Sequence, residues 1–379
     1  MKSEQLVVEI KGIGFPNKGA ELMLEAICQA FAEHAPQAKL VMQPNNDYRF
    51  RSRYGLFQKL NTRKKGFNLA GFMGLIPRRL LDAYGIVFDH EINVIVDASG
   101  FAYGDQWGAE KARGRLGANI EALQAKGVKV FLLPQALGPF EDTALRVQMN
   151  TIFSHACRVY ARDEQSLAYA RAAAPHAPIS QAYDFTNVVS GVPYASFDDA
   201  EHKVCIIPNA KMIEKTSLGN SYVDAMQAML DYCLSIGAKP FLLVHEGKKD
   251  RAIAEQLAAH TGVSILEPVG PLKIKWVIGQ SQLVISSRFH GLVSALSQGV
   301  PILATGWSHK YHHLLKEYNC LEAMVNVEQD LEAALKRIET MVTSSQAHES
   351  ESQKLLDKSR QFKASVKAMW QDIFSTLLS

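Results

Sequence analysis

The stretch Leu283–Gly306, LVISSRFHGLVSALSQGVPILATG, decides the fold. Leu283–Ser286 is a short β-rich run, His290–Gln298 has helical spacing and stops at Gly299, and Val300–Ala304 is a second buried strand. A strand, helix and strand in that order predict a parallel sheet with the helix crossing over it. Arg288 and His290 fall at the carboxyl end of the first strand and the mouth of the helix, the edge where open α/β sheets bind ligands. A helix N-terminus favours an anion, Arg adds a cationic fork, and His adds a group that exchanges a proton near neutral pH. The pattern predicts an anion site with an acid/base beside it. An isolated R-x-H is a weak signal, and pairing of Arg288 with a surface carboxylate is the plainer alternative.

Working outward, the same alternation recurs on both sides. Leu6–Ile10 reads as a buried strand leading into KGIGFPNKGAELML and a helix to about His34; Lys39–Met42, Asn93–Asp97, Val128–Leu133 and Val159–Ala161 are further strands, each but Lys39–Met42 followed by a helix. After a passage over 175–200 rich in Pro and Gly, strands Val204–Pro208, Phe241–His245 and Val263–Leu266 repeat the scheme before the opening stretch. The chain of 379 residues is too long for one simple core. It divides by expectation into 1–190, 200–345 and a last amphipathic helix over 349–379.

The turn after the first strand brings Gly12, Gly14 and Gly19 near a ligand, but it is not a dinucleotide fingerprint, because no acidic residue ends Lys39–Met42. Asn17, Lys18 and Glu21 are polar groups at that helix mouth, with helix capping by Asn17 an equal alternative. Asp97, Ser99 and Gln135 lie at other carboxyl edges.

Net charge is +3, so nothing suggests nucleic-acid binding. The five cysteines are scattered without a C-x-x-C, which points to neither a zinc site nor a disulfide framework. No signal-peptide pattern and no long apolar run is present, so a cytoplasmic protein is expected. Arg49–Arg79 carries nine basic and no acidic residues, interleaved with aromatics such as Phe50, Tyr54 and Phe57. It reads equally as peripheral contact with anionic membrane or as a solvated, mobile insertion.

Taken together, IKGIGFPNKGAELML, LLPQALGPF, ARDEQSLAYA and ISSRFHGLVSALSQGVPILA, the last followed by Lys310, resemble the polysaccharide pyruvyl transferase family from about residue 6 to residue 320. The resemblance implies an α/β protein with two facing Rossmann-like doubly wound domains, like the B-type glycosyltransferases, with a cleft between them and the last helix returning to the N-terminal domain. It further implies pyruvyl transfer from phosphoenolpyruvate to hydroxyls of a sugar or lipid-linked glycan in cell-surface polysaccharide synthesis, with no cofactor and no metal.

On that reading Arg288, Gly291, Lys310, Lys211, Lys215 and His245 bind the donor, with Arg288 as clamp and His290 transferring the proton. Gly14, Asn17, Gly19, Glu21, Asp97, Ser99 and Gln135 take the acceptor. The family's arginine after the strand that opens the second domain is absent; IIPNAKMIEKT offers Lys211 or Lys215 instead. The competing functions are a glycosyltransferase of the same architecture using a nucleotide sugar, and a scaffold protein with a decayed cleft.

Overall fold

The computed structural model describes residues 5–15, 17–43, 48–61, 63–64, 67–68, 76–215, 219–306, 309–326 and 329–378, without the side chains of 63, 64, 67, 68, 215, 220 and 309. The strands are β1 Val7–Lys11, β2 Lys39–Met42, β3 Phe57–Leu60, β4 Arg63–Lys64, β5 Phe67–Asn68, β6 Ile86–Phe88, β7 Val94–Asp97, β8 Lys129–Gln135, β9 Arg158–Ala161, β10 Ile179–Gln181, β11 Val204–Ile207, β12 Pro240–Leu243, β13 Ile265–Leu266, β14 Leu283–Ser286 and β15 Ile302–Ala304. They form two compact units. One comprises Met1–Phe15, Met23–Phe185 and Ser365–Ser379, the other Pro16–Leu22 and Thr186–Ala364.

The first unit is an eight-stranded sheet ordered β10-β9-β8-β7-β1-β2-β3-β6, with every pairing parallel. Strands covered on both faces need apolar residues at every position rather than alternate ones. VIV in β7 and FLL in β8 meet that need, and both are buried throughout these runs. Leu145, Met149, Ile152 and Phe153 of the helix Thr143–His155 share the core with Ile95, Val130, Leu132 and Val159. Asp142 caps that helix by accepting from Leu145 N at 2.6 Å. The end of the last helix belongs here: Asp372 accepts from Arg158 Nε at 2.8 Å and Tyr160 Oη at 2.6 Å, and Phe374 meets Phe31 edge-on at 5.0 Å.

The second unit is a five-stranded parallel sheet ordered β13-β12-β11-β14-β15. Its core joins Val204, Ile206, Leu242, Leu283 and Ile285 to Tyr222, Met226 and Leu230 of the helix Asn220–Ser235. The earlier part of the last helix, Ser345–Leu378, is tied to this unit: Ser359 Oγ and Lys363 Nζ donate to Ser297 O at 2.7 and 2.8 Å, and Ser352 Oγ donates to Gly299 O at 2.7 Å.

Each sheet reverses its strand order once, between β1 and β7 in the first and between β11 and β14 in the second. A ligand crevice opens outside the carboxyl ends of the strands at such a reversal. Gly12 and Asp97 stand at the first, Asn209 and Arg288 at the second.

Several cations of the basic stretch are engaged within the fold. Arg51 is buried and donates to Leu56 O at 2.9 Å, Lys59 of β3 pairs with the buried Glu9 at 2.9 Å, and Arg78 pairs with Asp82 and Glu91. These cations hold the sheet edge together, so the stretch is not simply a solvated insertion. Lys65 and the run 69–75 lie outside the described residues. Among the described residues no helix is long and apolar enough to cross a membrane.

Candidate active site

At the reversal of the second sheet, β14 ends in Ser286 and Ser287, both buried, and Arg288 caps the helix Phe289–Leu296 in an extended conformation. A polar lattice fixes this turn. Ser286 Oγ accepts from Arg288 N at 2.9 Å, and Ser287 Oγ is hydrogen-bonded to Thr305 Oγ1 at 2.6 Å and Tyr222 Oη at 2.9 Å. Asn209, just past β11, donates from Nδ2 to Ser287 O at 2.8 Å, and Tyr311 Oη donates to the same carbonyl at 2.8 Å. Gly291 sits in tight space: a Cβ there would lie 3.1 Å from Ser286 Oγ and 3.3 Å from Ile207 Cδ1, so a neighbour would have to give by a few tenths of an ångström.

Arg288 is not an open fork. Its side chain is 8% exposed, Nη1 donates to Glu246 and Nη2 donates to both oxygens of Asp250. Asp250, fully buried, also accepts from Ala210 N at 3.0 Å and Glu246 N at 3.2 Å. Burial raises the Asp250 carboxyl above its ordinary value, against the pull of Arg288. The expected bidentate clamp on a donor is therefore replaced by a buried carboxylate–guanidinium–carboxylate bridge that joins the segment after β11, the helix Gly247–Ala258 and the helix Phe289–Leu296.

His290 stands in the first turn of its helix, half-buried. Gly19 abuts it: a Cβ at Gly19 would lie 2.2 Å from His290 Nδ1. The first turn of the helix Lys18–His34 thus belongs with this site. Asn17 caps it by accepting from Ala20 N at 3.0 Å, and Lys18 pairs at 2.5 Å with Glu21, which is fully buried. Asn17, Gly19 and Glu21, expected on the acceptor side with the first domain, are grouped instead with the second unit.

His245, past β12, is buried, and its Nδ1 has no hydrogen-bond partner among the described residues. Burial first, then the charges of Arg288, His290 and Lys18, hold its proton affinity well below the ordinary value, so it is neutral at pH 7. Lys310 places Nζ 5.4 Å from the centre of the Phe289 ring. Lys211 is exposed, its Nζ 3.9 Å from Glu246. The Lys215 side chain lies outside the described residues.

In the first unit Asp97 is fully buried and accepts from Ser99 N at 3.0 Å, Tyr103 Oη at 2.6 Å and Ser99 Oγ. Its oxygens are held by its own strand end, so Asp97 orients Ser99 rather than offering a free surface carboxylate to a sugar. Gln135 is fully buried with Nε2 3.3 Å from Leu133 O, and Oε1 has no partner among the described residues. Gly14 lines an open pocket. Among the described residues no group of three or more His, Cys, Asp or Glu side chains could hold a metal ion. Burial pushes the thiols of Cys28, Cys233 and Cys320 up to about 12, which leaves them without nucleophilic thiolate at neutral pH.

Sequence reasoning missed Glu246 and Asp250. Their signal was present as two carboxylates four apart at the opening of a helix that follows a strand, but helix-dipole stabilisation accounts for acidic residues there equally well.

The polysaccharide pyruvyl transferase family model matches residues 17–309, a span that includes His245, Glu246, Asp250, Arg288 and His290. The chain belongs to that family. It is accordingly an enzyme, a pyruvyl transferase of polysaccharide biosynthesis acting on a sugar or glycan. Comparison with curated proteins gives no sequence match.

Among solved structures, the UDP-GlcNAc 2-epimerase of Neisseria meningitidis bound to UDP-GlcNAc is similar with a TM-score of 0.60 at 10% identity, over 98% of this chain and 100% of that one. A glycosyltransferase of Rickettsia africae gives 0.57 at 10%, over 99% of each chain. The UDP-GlcNAc 2-epimerase of Methanocaldococcus jannaschii gives 0.56 at 12%, over 90% of this chain and 93% of that one. At these identities the likeness is one of fold, that of B-type glycosyltransferases and sugar-nucleotide epimerases.

Proposed function

We propose that the enzyme transfers the pyruvyl group of phosphoenolpyruvate to hydroxyls of its sugar acceptor, with the donor at the strand reversal of the second unit. The observation that carries this reading is the convergence of His290, His245 and Lys18 at that reversal, beside a helix N-terminus. Phosphoenolpyruvate brings a phosphate and a carboxylate, and helix N–H groups with Lys18, Lys310 and Lys211 suit both.

In the reaction a proton adds to the methylene carbon while a sugar hydroxyl attacks the adjacent carbon. Phosphate leaves with the C–O bond, and a second hydroxyl closes the ketal. Of the two hydroxyl protons, one balances that taken up by the carbon and the other leaves on phosphate. His290 serves as the base for the attacking hydroxyl. His245, neutral and buried, sets the charge around it, and the Arg288 bridge positions the loops that carry both. Gly14, Ser99 and Gln135 of the first unit are proposed for the acceptor.

Mass spectrometry of a panel of sugar nucleotides, lipid-linked sugars and simple glycosides incubated with phosphoenolpyruvate tests the reading. Adducts formed by wild type and lost in His290→Ala support it. Release of nucleoside diphosphate instead would favour glycosyl transfer. Peripheral membrane contact is proposed for the exposed Tyr48, Arg79, Leu80 and Tyr84. Vesicle flotation that is salt-insensitive, or unchanged by Arg79→Gln with Leu80→Ser, would dismiss it.

A further inference from the structure

The first unit contains a pocket of about 410 Å³ outside the carboxyl ends of β1 and β2, where Lys11, Lys111 and Arg115 converge with Gly12, Gly14 and Gln43. Its size falls within the roughly 300–1,000 Å³ of ligand sites. Its charge is the unusual feature. Lys11 Nζ donates to Arg115 O at 2.9 Å, Arg115 Nη1 donates to Ser99 Oγ and stays 3.9 Å from Asp97, and Lys111 Nζ lies 3.9 Å from the centre of the Trp107 ring. Among the described residues, none of these three cations reaches a carboxylate within hydrogen-bonding distance. Of the described residues, the carboxylates that act on Lys11 are already engaged, Glu9 by Lys59 at 2.9 Å and by Gln43, and Asp97 by Ser99 and Tyr103.

Among the described residues the local balance is thus positive. Burial lowers the Lys11 ammonium from its ordinary value more than Glu9 and Asp97 restore it, as expected of a cation short of counter-charge. The backbone is shaped to match. Residues Arg113–Gly117 form a π-helical turn, a rare widening that is frequent at functional sites, and it carries both Gly114 and Arg115 to the pocket wall. A Cβ at Gly14 or Gly114 would meet nothing within 4 Å, so these walls stay open to a ligand.

We propose that this pocket binds a phosphoryl group carried by the acceptor, so that the enzyme acts on a phosphate-linked sugar in preference to the free sugar. The inference rests on the pyruvyl-transfer reading for the identity of the ligand, but not for the existence of the anion site. Three cations at one pocket match the fixed charge of a phosphate or diphosphate better than the hydroxyls of a neutral sugar. The pocket also belongs to the unit that does not carry His290, which assigns it to the acceptor rather than to the donor.

Two variants test it without removing a buried group: Lys111→Glu, at an exposed position, and Gln43→Glu, which adds charge at the pocket rim. Thermal melting establishes that each folds. Calorimetric titration with inorganic pyrophosphate should show binding to wild type weakened at least about tenfold in either variant, since a charge-assisted contact contributes about 1.5–3 kcal/mol. In transfer assays, the ratio of kcat/KM for a sugar diphosphate to that for the same sugar without phosphate should fall by a similar factor.

Equal pyrophosphate binding by folded variants would overturn the site. Weakened saturation by phosphoenolpyruvate with an unchanged acceptor ratio would overturn the acceptor assignment. Pyrophosphate binding that the variants lose, in a protein that pyruvylates nothing, would uphold the pocket and dismiss the reaction.

Discussion

Replacing Arg288 with Met tests the buried bridge directly. The substitution keeps an unbranched side chain of similar length but leaves Asp250 fully buried, and Glu246 mostly so, with no guanidinium between them. Removing one partner of a buried ion pair costs about 3–5 kcal/mol, because the remaining charge is desolvated and uncompensated. For a unit of this size, that converts to a fall in melting temperature of roughly 6–20 °C for the second unit's transition.

The pH dependence carries its own sign. The Asp250 carboxyl is already raised by burial, with Arg288 the first cause opposing the rise, and the variant raises it further. A folded-state value above the unfolded one means stability that is present at low pH and lost as pH rises through the folded value. The deficit of Arg288→Met should therefore be largest at alkaline pH and shrink on acidification, as Asp250 takes a proton and needs no counter-charge. Denaturant melts at several pH values supply the measurement, and Arg288→Met with Asp250→Leu should recover much of the loss. A single variant that melts like wild type at pH 8, or whose deficit grows on acidification, would refute the bridge as the source of stability.

Other outcomes follow from the same geometry. His290→Ala should melt nearly as wild type while turnover falls roughly 10²–10⁴-fold; early unfolding, or unchanged turnover, would end the assignment. Gly19→Ala should lower turnover although alanine improves helix propensity by about 1 kcal/mol, since its Cβ must displace the His290 ring; wild-type kinetics in this variant would show that the contact is idle. His245 is held neutral, so the unfolded chain takes up a proton that the folded one refuses as pH falls below the ordinary value of 6.5. Stability should decline through that range, and His245→Asn should flatten the decline; an unchanged slope would assign it to other groups.

Much of this was legible in the chain. Apolar runs bounded by Gly, Pro and polar residues placed β2 and β14 at their observed limits and β7 within one residue, because strands covered on both faces are written as near-continuous apolar runs. The turn bearing Arg288 and His290 was legible for the same reason, since strand end and helix mouth are both local signals. The strands β3 and β6 were not: FQKL and IVF are too short to show a period, and the charges around them suggested a surface.

Nor was the fate of Arg288. Whether a guanidinium awaits a ligand or is bound by carboxylates 38 and 42 positions away is a tertiary fact with no local trace. Gly19 and His290 are likewise 271 residues apart in the chain and touch only through the fold. The cationic pocket was half visible, as the glycines after β1, but Lys111 and Arg115 come from a segment that reads as an ordinary helix.

The account rests most heavily on transfer from phosphoenolpyruvate with cleavage of its C–O bond. Phosphoenolpyruvate labelled with ¹⁸O at the bridging position, incubated with enzyme and a phosphate-linked sugar, tests this in one experiment. The account predicts that the label leaves entirely in inorganic phosphate and that the sugar gains the mass of one pyruvic acid less one water. Label retained in free pyruvate, with the sugar unchanged in mass, would contradict it.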